Sequence, residues 1–194
     1  MAVTFANIIV GEGTLAVGSN AGGTTYYDVG ATQEGVMISW EPDMVDIEVD
    51  QFGDAARVIQ SKVKVMVKTK LAETTFQNLG LAWGYAGITT FGDTAVTGAN
   101  DGVTSVTQGA GNLNLGIHDA LPEERRIQVK GPAPGSSVTQ RYVRTYTCNR
   151  AISVGSVEVA YKRNENVALP VEFRILPDPT QTGKEYGTIS DGNS

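Results

Sequence analysis

From Val36 onward the chain alternates apolar and polar residues with period two. Val45, Ile47 and Val49 interleave with Asp46, Glu48 and Asp50. That pattern predicts a strand with one apolar and one acidic face. Phe52, Gly53 and Asp54 supply turn chemistry. Beyond them Ile59, Ser61, Val63, Val65 and Val67 interleave with Gln60, Lys62, Lys64, Met66 and Lys68, the longest alternating run in the chain. The two runs read as one long hairpin. Directly paired residues share a face, so odd positions are expected to pair with odd ones. Asp46, Glu48 and Asp50 would then meet Lys62, Lys64 and Gln60. Each exposed pair contributes only ~0.2–1 kcal/mol. A one-residue slip, however, would turn every Val outward, so the pattern specifies register.

Over Glu73–Gly84 the period changes. Ala72, Phe76, Leu79 and Trp83 fall on one helical face, predicting a helix whose core face is Phe76, Leu79 and Trp83. Glu73 in the first turn would complement the helix dipole, and Gly84 would stop the helix. Residues 85–121 are rich in Gly, Thr, Ala and Asn, with little apolar rhythm. They read as a loop-rich insertion, with a short strand around Gly102–Val106 as one option. Strands resume at Ile127 and Val129, at Arg141–Cys148, at Val157, Val159 and Tyr161, and at Val167–Ile175. Pro170 has no N–H to donate, which predicts an edge position there. Residues 1–30 read as an N-terminal arm, either loose or ordered on a partner. The polar stretch 177–194 reads as a C-terminal arm or frayed end. The fold class expected is mainly β, a single β-sandwich or barrel-like domain with one packed helix.

Composition narrows the function. Hydrophobic residues are 41% of 194, enough for a core, which excludes wholesale disorder. No apolar run approaches the ~18–20 residues of a membrane-spanning helix. The chain has one cysteine, Cys148, and one histidine, His118. An intrachain disulfide scaffold, a cysteine-based zinc finger and a His-rich metal site are therefore excluded within one chain. Net charge is −6, unlike the basic face that grips nucleic-acid phosphates. The charge is unevenly spread. Residues 1–56 hold nine acidic side chains and no Lys or Arg, while the remainder holds all 15 basic and 21 − 9 = 12 acidic ones, net +3. Met1–Val10 lacks the positive start of a secretory signal, so folding in a reducing cytoplasm with Cys148 as a free thiol is expected.

Chemical motifs are sparse. Asp46-x-Glu48-x-Asp50 resembles an oxygen-ligand cluster, but it equally describes any polar strand face, and the EF-hand glycine and terminal Glu are missing. Gly11-x-Gly13 and Gly109-x-Gly111 miss the dinucleotide-binding spacing. Cys148 and His118 could meet only through the fold, and a strand cysteine is more often packing. No enzyme signature is present, and no cofactor or metal is called for. Arg125, Arg126, Lys130, Arg141, Arg144, Arg150, Lys162 and Arg163 read either as ordinary solvated faces or as a patch docking the acidic first quarter of another copy.

The run Tyr27–Gly84, and separately Leu169–Ile189 (LPVEFRILPDPTQTGKEYGTI), resembles the major tail tube proteins of long-tailed, siphovirus-type bacteriophages. The shared features are an Ile-Ser opening strand, an acidic strand beside a long second strand, a Leu-Ala-Glu helix start and a closing strand ending in Pro-Asp-Pro. The resemblance covers a little under half of the chain, and residues 85–121 match least. It implies a structural virion protein with no cofactor, whose copies form hexameric rings. Stacked rings would make a hollow tube, assembled in the bacterial host cytoplasm, through which viral DNA passes without specific binding. Tape-measure, tail-tip and tail-terminator proteins are the implied partners. The candidate lumen or inter-subunit face is Asp46, Glu48, Asp50, Lys62, Lys64 and Lys68.

Two other readings stay open. One is the tube protein of a contractile injection machine or type VI secretion system. The other is a monomeric β-sandwich binding module, for example for carbohydrate, with Trp40, Trp83, Tyr26 and Tyr27 as its aromatic supply.

Overall fold

A computed structural model describes residues 11–18, 26–48, 55–84, 95–97, 107–109, 123–135, 142–161, 163 and 166–193. The strands are β1 (Thr14–Gly18), β2 (Tyr26–Asp28), β3 (Thr32–Glu48), β4 (Ala55–Leu71), β5 (Ala95–Thr97), β6 (Thr107–Gly109), β7 (Arg125–Pro132), β8 (Tyr142–Ser153), β9 (Leu169–Leu176) and β10 (Thr188–Asn193). One helix, α1 (Phe76–Ala82), follows β4. The fold is mainly β, as the alternation implies. Eight strands form one antiparallel sheet in the order β2-β1-β7-β8-β9-β4-β3, with β10 branching from β8. β5 and β6 pair only with each other.

Two features shape this sheet. First, β8 carries two partners in tandem: β10 along Tyr142–Thr147 and β9 along Arg150–Ser153. Secondly, β1 and β3 touch although four strands separate them in the sheet order, so the sheet curls into a half-closed barrel. The core fills its concave side. Leu169, Val171, Phe173 and Ile175 alternate inward along β9, matched by Val65, Val67 and Leu71 of β4 and Ile127 and Val129 of β7. Burying such side chains stabilises the fold by ~1.5–3 kcal/mol each.

The termini depart from the arm reading. Leu15 and Val17 of β1 are fully buried, and β1 pairs with β7 from Thr14↔Lys130 to Val17↔Ile127. β10 is likewise a sheet strand, held by its backbone ladder to β8 and by Arg144 gripping both Asp191 oxygens at 2.7 Å. Its polar sequence hid it because an exposed strand needs no apolar face. Residues 1–10 and 19–25 lie outside the described residues.

Three other expectations are refined. Val157 and Val159 do turn inward against the core, but residues 154–161 have no ladder, so this alternating run is extended chain. β9 is internal; Pro170 nevertheless sits where β9 pairs with β4 alone, because its pairing with β8 begins at Phe173. Of 85–121, only β5 and β6 are described, and the suggested strand at 102–106 falls outside.

The helix is shorter than expected. Thr75 caps it by accepting from the Asn78 N–H at 3.2 Å. Glu73 precedes the helix, and its carboxylate accepts from the Ala31 N–H at 3.0 Å instead of meeting the dipole. Leu81 and Ala82 are the residues seated in the core, with Leu79 packed beside them. Trp83 is the C-cap and 37% exposed, so it does not belong to the core face, which runs through Asn78, Leu81 and Ala82. The Phe76 side chain lies outside the described atoms. Gly84 ends the helix at φ 69°, a conformation glycine adopts without a Cβ clash. Asn78, unmarked in the sequence, is buried, and its amide donates to the carbonyls of Val29 and Glu73, both at 2.8 Å.

Candidate assembly surface

β3 and β4 are both 17 residues long. β9 covers β4 only from Val65 to Leu71, so Ala55–Lys64 has β3 as its sole ladder partner among the described residues; Val63 still packs against the core, and residues 56–62 are exposed. The outer edge of β3 carries no described ladder partner. Such edges are pairing sites unless they are covered or blunted.

The register differs from the expected one. β3 reaches Glu48 and β4 begins at Ala55, so the hairpin closes earlier than the alternation from Ile59 implies. Lys62 meets Asp43 and Lys64 meets Glu41, whereas Asp46 pairs with Val58 and Glu48 with Ala55. The acidic row Asp46 and Glu48 therefore does not face the lysines; Asp50 lies outside the described residues. Odd-with-odd pairing holds at Val45↔Ile59 and Ile47↔Arg57, and fails from Val36 to Asp43. A bulge between Asp43 and Met44 separates the two regimes, leaving Ser61 as the extra residue on β4. Its hydroxyl donates to the Asp43 carbonyl at 3.2 Å. β3 itself changes phase there: its apolar positions are even at Val36, Ile38 and Trp40, then odd at Val45 and Ile47.

At the base, a second irregularity fixes the register. Glu34 (φ 63°) and Gly35 (φ 74°) form a two-residue bulge between Gln33 and Val36. Thr69 Oγ1 donates to the Gly35 carbonyl at 2.7 Å, and Lys70 Nζ pairs with Glu34 at 2.5 Å.

One face of the hairpin thus carries a ladder of ion pairs: Lys62–Asp43 at 3.3 Å, Lys64–Glu41 at 3.8 Å, Lys68–Glu172, and Lys70–Glu34. Four cations balance four anions. All these side chains are solvated, so the ladder contributes little to stability. Its effect is a polar strip on which each of these lysines already has a carboxylate partner, with the exposed Arg174 of β9 beside it. Towards the tip, alternation along β3 brings Val45 and Ile47 onto this same face, with Ile59 beside Val45. The other face of the tip presents Met44 and Val58, 53% and 55% exposed.

The basic residues are mostly engaged within the chain. Arg125 is 4% exposed and pairs with Glu123 at 2.5 Å. Arg126 donates to Asn149 at 3.1 Å. Arg150 holds Glu124 and donates to the Pro177 carbonyl at 2.9 Å. The Arg150 guanidinium keeps the Glu124 carboxyl below its ordinary range. Arg141 and Lys162 lie outside the described residues. These bonds show side chains tying β7, β8 and the 177–187 turns together, a use the sequence pattern does not announce.

The remaining chemistry is thin. Cys148 is buried, and burial pushes its thiol up to about 11, away from the nucleophilic thiolate. His118 lies outside the described residues. Among the described residues no group of three or more His, Cys, Asp or Glu is placed to hold a metal ion, and no helix is long and apolar enough to cross a membrane. Tyr26 and Tyr27 on β2, Trp40 on β3 and Trp83 after α1 sit on three different elements. No protein-family model and no curated protein matches the chain.

Proposed function

We propose that the protein is a structural, self-assembling ring former, the tube subunit of a long-tailed phage, whose stacked rings enclose a channel for DNA. The observation that carries this reading is the β3–β4 hairpin. Near its tip, among the described residues, neither strand has a ladder partner on its outer edge, and apolar side chains stand exposed on both faces. A monomer gains nothing from such a tip, whereas neighbouring copies that pair its edges would bury it. A head-to-tail contact of this kind closes into a ring or propagates as a filament. The ion-paired ladder supports the second half of the proposal. Lysines already paired with carboxylates have little grip left for phosphates, so DNA can slide past.

The test is negative-stain electron microscopy across a protein concentration series, with light scattering alongside. Rings or hollow tubes of uniform width are the expected result. A protein that stays monomeric at the highest concentration, and also when seeded with preformed tail tips, overturns the proposal.

A further inference from the structure

β10 is lightly held. Thr188–Gly192 are all exposed, and the ladder of β10 runs along β8 alone, from Thr188↔Thr147 to Asn193↔Tyr142. Local opening costs least where few apolar contacts are buried. Inside this strand Asp191 is followed by Gly192.

An aspartate followed by glycine is chemically reactive. The Gly192 amide nitrogen can bond to Asp191 Cγ while one carboxyl oxygen leaves as water, giving a cyclic imide. Glycine has no Cβ to obstruct that approach. The space beside Gly192 is also open, with no heavy atom within 4 Å of where a Cβ would stand, its chain neighbours apart. Water then adds to the former main-chain carbonyl of Asp191 and breaks its bond to the imide nitrogen. The product is isoaspartate. Gly192 now hangs from Cγ, the α-carboxyl is free, and the composition is unchanged, so no oxidant or other reactant is needed.

The docked strand opposes this reaction twice. Ring closure needs a neutral carboxyl, because a carboxylate is a poor electrophile. Arg144, directly across the ladder, holds Oδ1 through Nε and Oδ2 through Nη2, both at 2.7 Å. That fork fixes both oxygens and keeps the group ionised. Ring closure also needs a rotation of the Asp191 main chain away from the extended conformation that the ladder imposes.

We propose that Asp191–Gly192 is an isomerisation site gated by β10, closed while the strand is docked with Arg144 on the carboxylate and open when the strand detaches. Isomerisation adds a methylene to the main chain between residues 191 and 192 and moves the carboxylate. The register of Asp191 with Arg144 and of Gly192 with Val143 then has no way to re-form, so detachment becomes permanent. The gate does not depend on ring formation.

The test incubates the full chain at mildly acidic pH, folded and in guanidinium, and then digests it with trypsin. Cleavage after Lys184 puts Asp191 in the peptide that begins at Glu185, apart from Asp101–Gly102, the other Asp–Gly pair. Isoaspartate at 191 is read by electron-transfer fragmentation. The folded wild-type chain is expected to isomerise at least about tenfold more slowly than the unfolded one. Folded Arg144→Ala is expected to approach the unfolded rate, with Arg144→Lys, which keeps a charge but not the fork, in between. Equal rates in folded and unfolded wild type overturn the proposal. So does Arg144→Ala with native circular dichroism and the wild-type rate. If Arg144→Ala does not fold, Gly187→Ala replaces it, because its Cβ would collide with the Thr147 carbonyl and loosen β10 without touching the carboxylate. A loosened β10 that isomerises at the wild-type rate overturns the gate. Amide exchange on the isomerised protein checks permanence. Protection along Thr188–Asn193 is expected to be lost while β7 and β9 keep theirs, and unchanged protection of β10 overturns the lock.

Discussion

Trp40 and Tyr186 meet edge to face, with ring centroids 5.7 Å apart and planes at 73°. The contact joins the long hairpin to the turn that leads into β10, two segments 146 residues apart in sequence (186 − 40). Tyr186 also donates from its hydroxyl to the Val63 carbonyl at 3.4 Å, a long bond. Such aromatic pairs contribute ~0.5–1.5 kcal/mol beyond area burial. Tyr186→Ala is therefore expected to destabilise the monomer by about 2–3 kcal/mol, with Tyr186→Phe costing under ~1 kcal/mol. Urea unfolding of the two variants checks the ratio. Equal losses would assign the effect to the hydroxyl and not to the ring.

The attachment of β10 is expected to depend on acid. Hydrogen bonding from Arg144 holds the Asp191 carboxyl below its ordinary value of 3.8. A depressed folded value means the unfolded state takes up its proton first. The stabilisation is thus complete above about pH 4 and is lost as pH falls through the lower folded value. Amide exchange along Thr188–Asn193 should quicken below that point, and Asp191→Asn should quicken it at neutral pH and flatten the dependence. Gly187 offers a second handle. At φ 134° an added Cβ would collide with the Thr147 carbonyl, so Gly187→Ala is expected to loosen β10 at every pH.

A separate loss is expected on the alkaline side. Burial, against the opposing charge of Arg125, raises the Tyr27 phenol from 10.0 to about 12, and burial raises the Cys148 thiol from 9.0 to about 11. Both groups are raised on folding, so the folded state keeps its protons longer than the unfolded chain. Their contribution is intact below pH 9 and lost as pH climbs through 11–12. Urea midpoints measured from pH 8 to 12 should fall across that window. Tyr27→Phe should remove the later part of the fall, and Cys148→Ala the earlier part.

The hairpin tip separates stability from assembly. Val45 and Ile59 are solvent-exposed cross-strand partners. Val45→Lys with Ile59→Glu keeps an attractive pair, so monomer stability should change by no more than ~0.5 kcal/mol. Under the proposed function the same double variant should fail to form rings by electron microscopy. Rings of normal width from this variant would place the tip outside the contact.

How much of this was legible beforehand follows from what each element needs. β7, β9 and the second half of β4 bury one face, so their period-two pattern is plain in Val65–Leu71, Ile127–Val129 and Leu169–Ile175. β3 was legible as a strand, but its register was not. The phase change between Trp40 and Val45 is visible in the sequence, yet the bulge at Ser61 that accompanies it is a property of two strands together. β10 escaped notice because Thr-Ile-Ser-Asp-Gly-Asn has no buried face, and pairing through the backbone leaves no mark on composition. Asn78 and Arg125 escaped for the opposite reason. Polar types at buried positions make sense only once their partners, the Val29 carbonyl and Glu123, are known. The balanced ion-pair face was expected in kind, with the wrong acids assigned to Lys62 and Lys64.

The pairing of Thr14 with Lys130 has a consequence for biosynthesis. The two positions are 116 residues apart (130 − 14). At ~5–20 residues per second, a ribosome takes roughly 6–23 s to add that stretch. During that interval β1 has only the short β2 as a ladder partner among the described strands, and the sheet order that links it to β3 through β7, β8, β9 and β4 is incomplete. The first strand made is among the last to be enclosed, so the nascent chain carries an unshielded apolar edge for most of its synthesis.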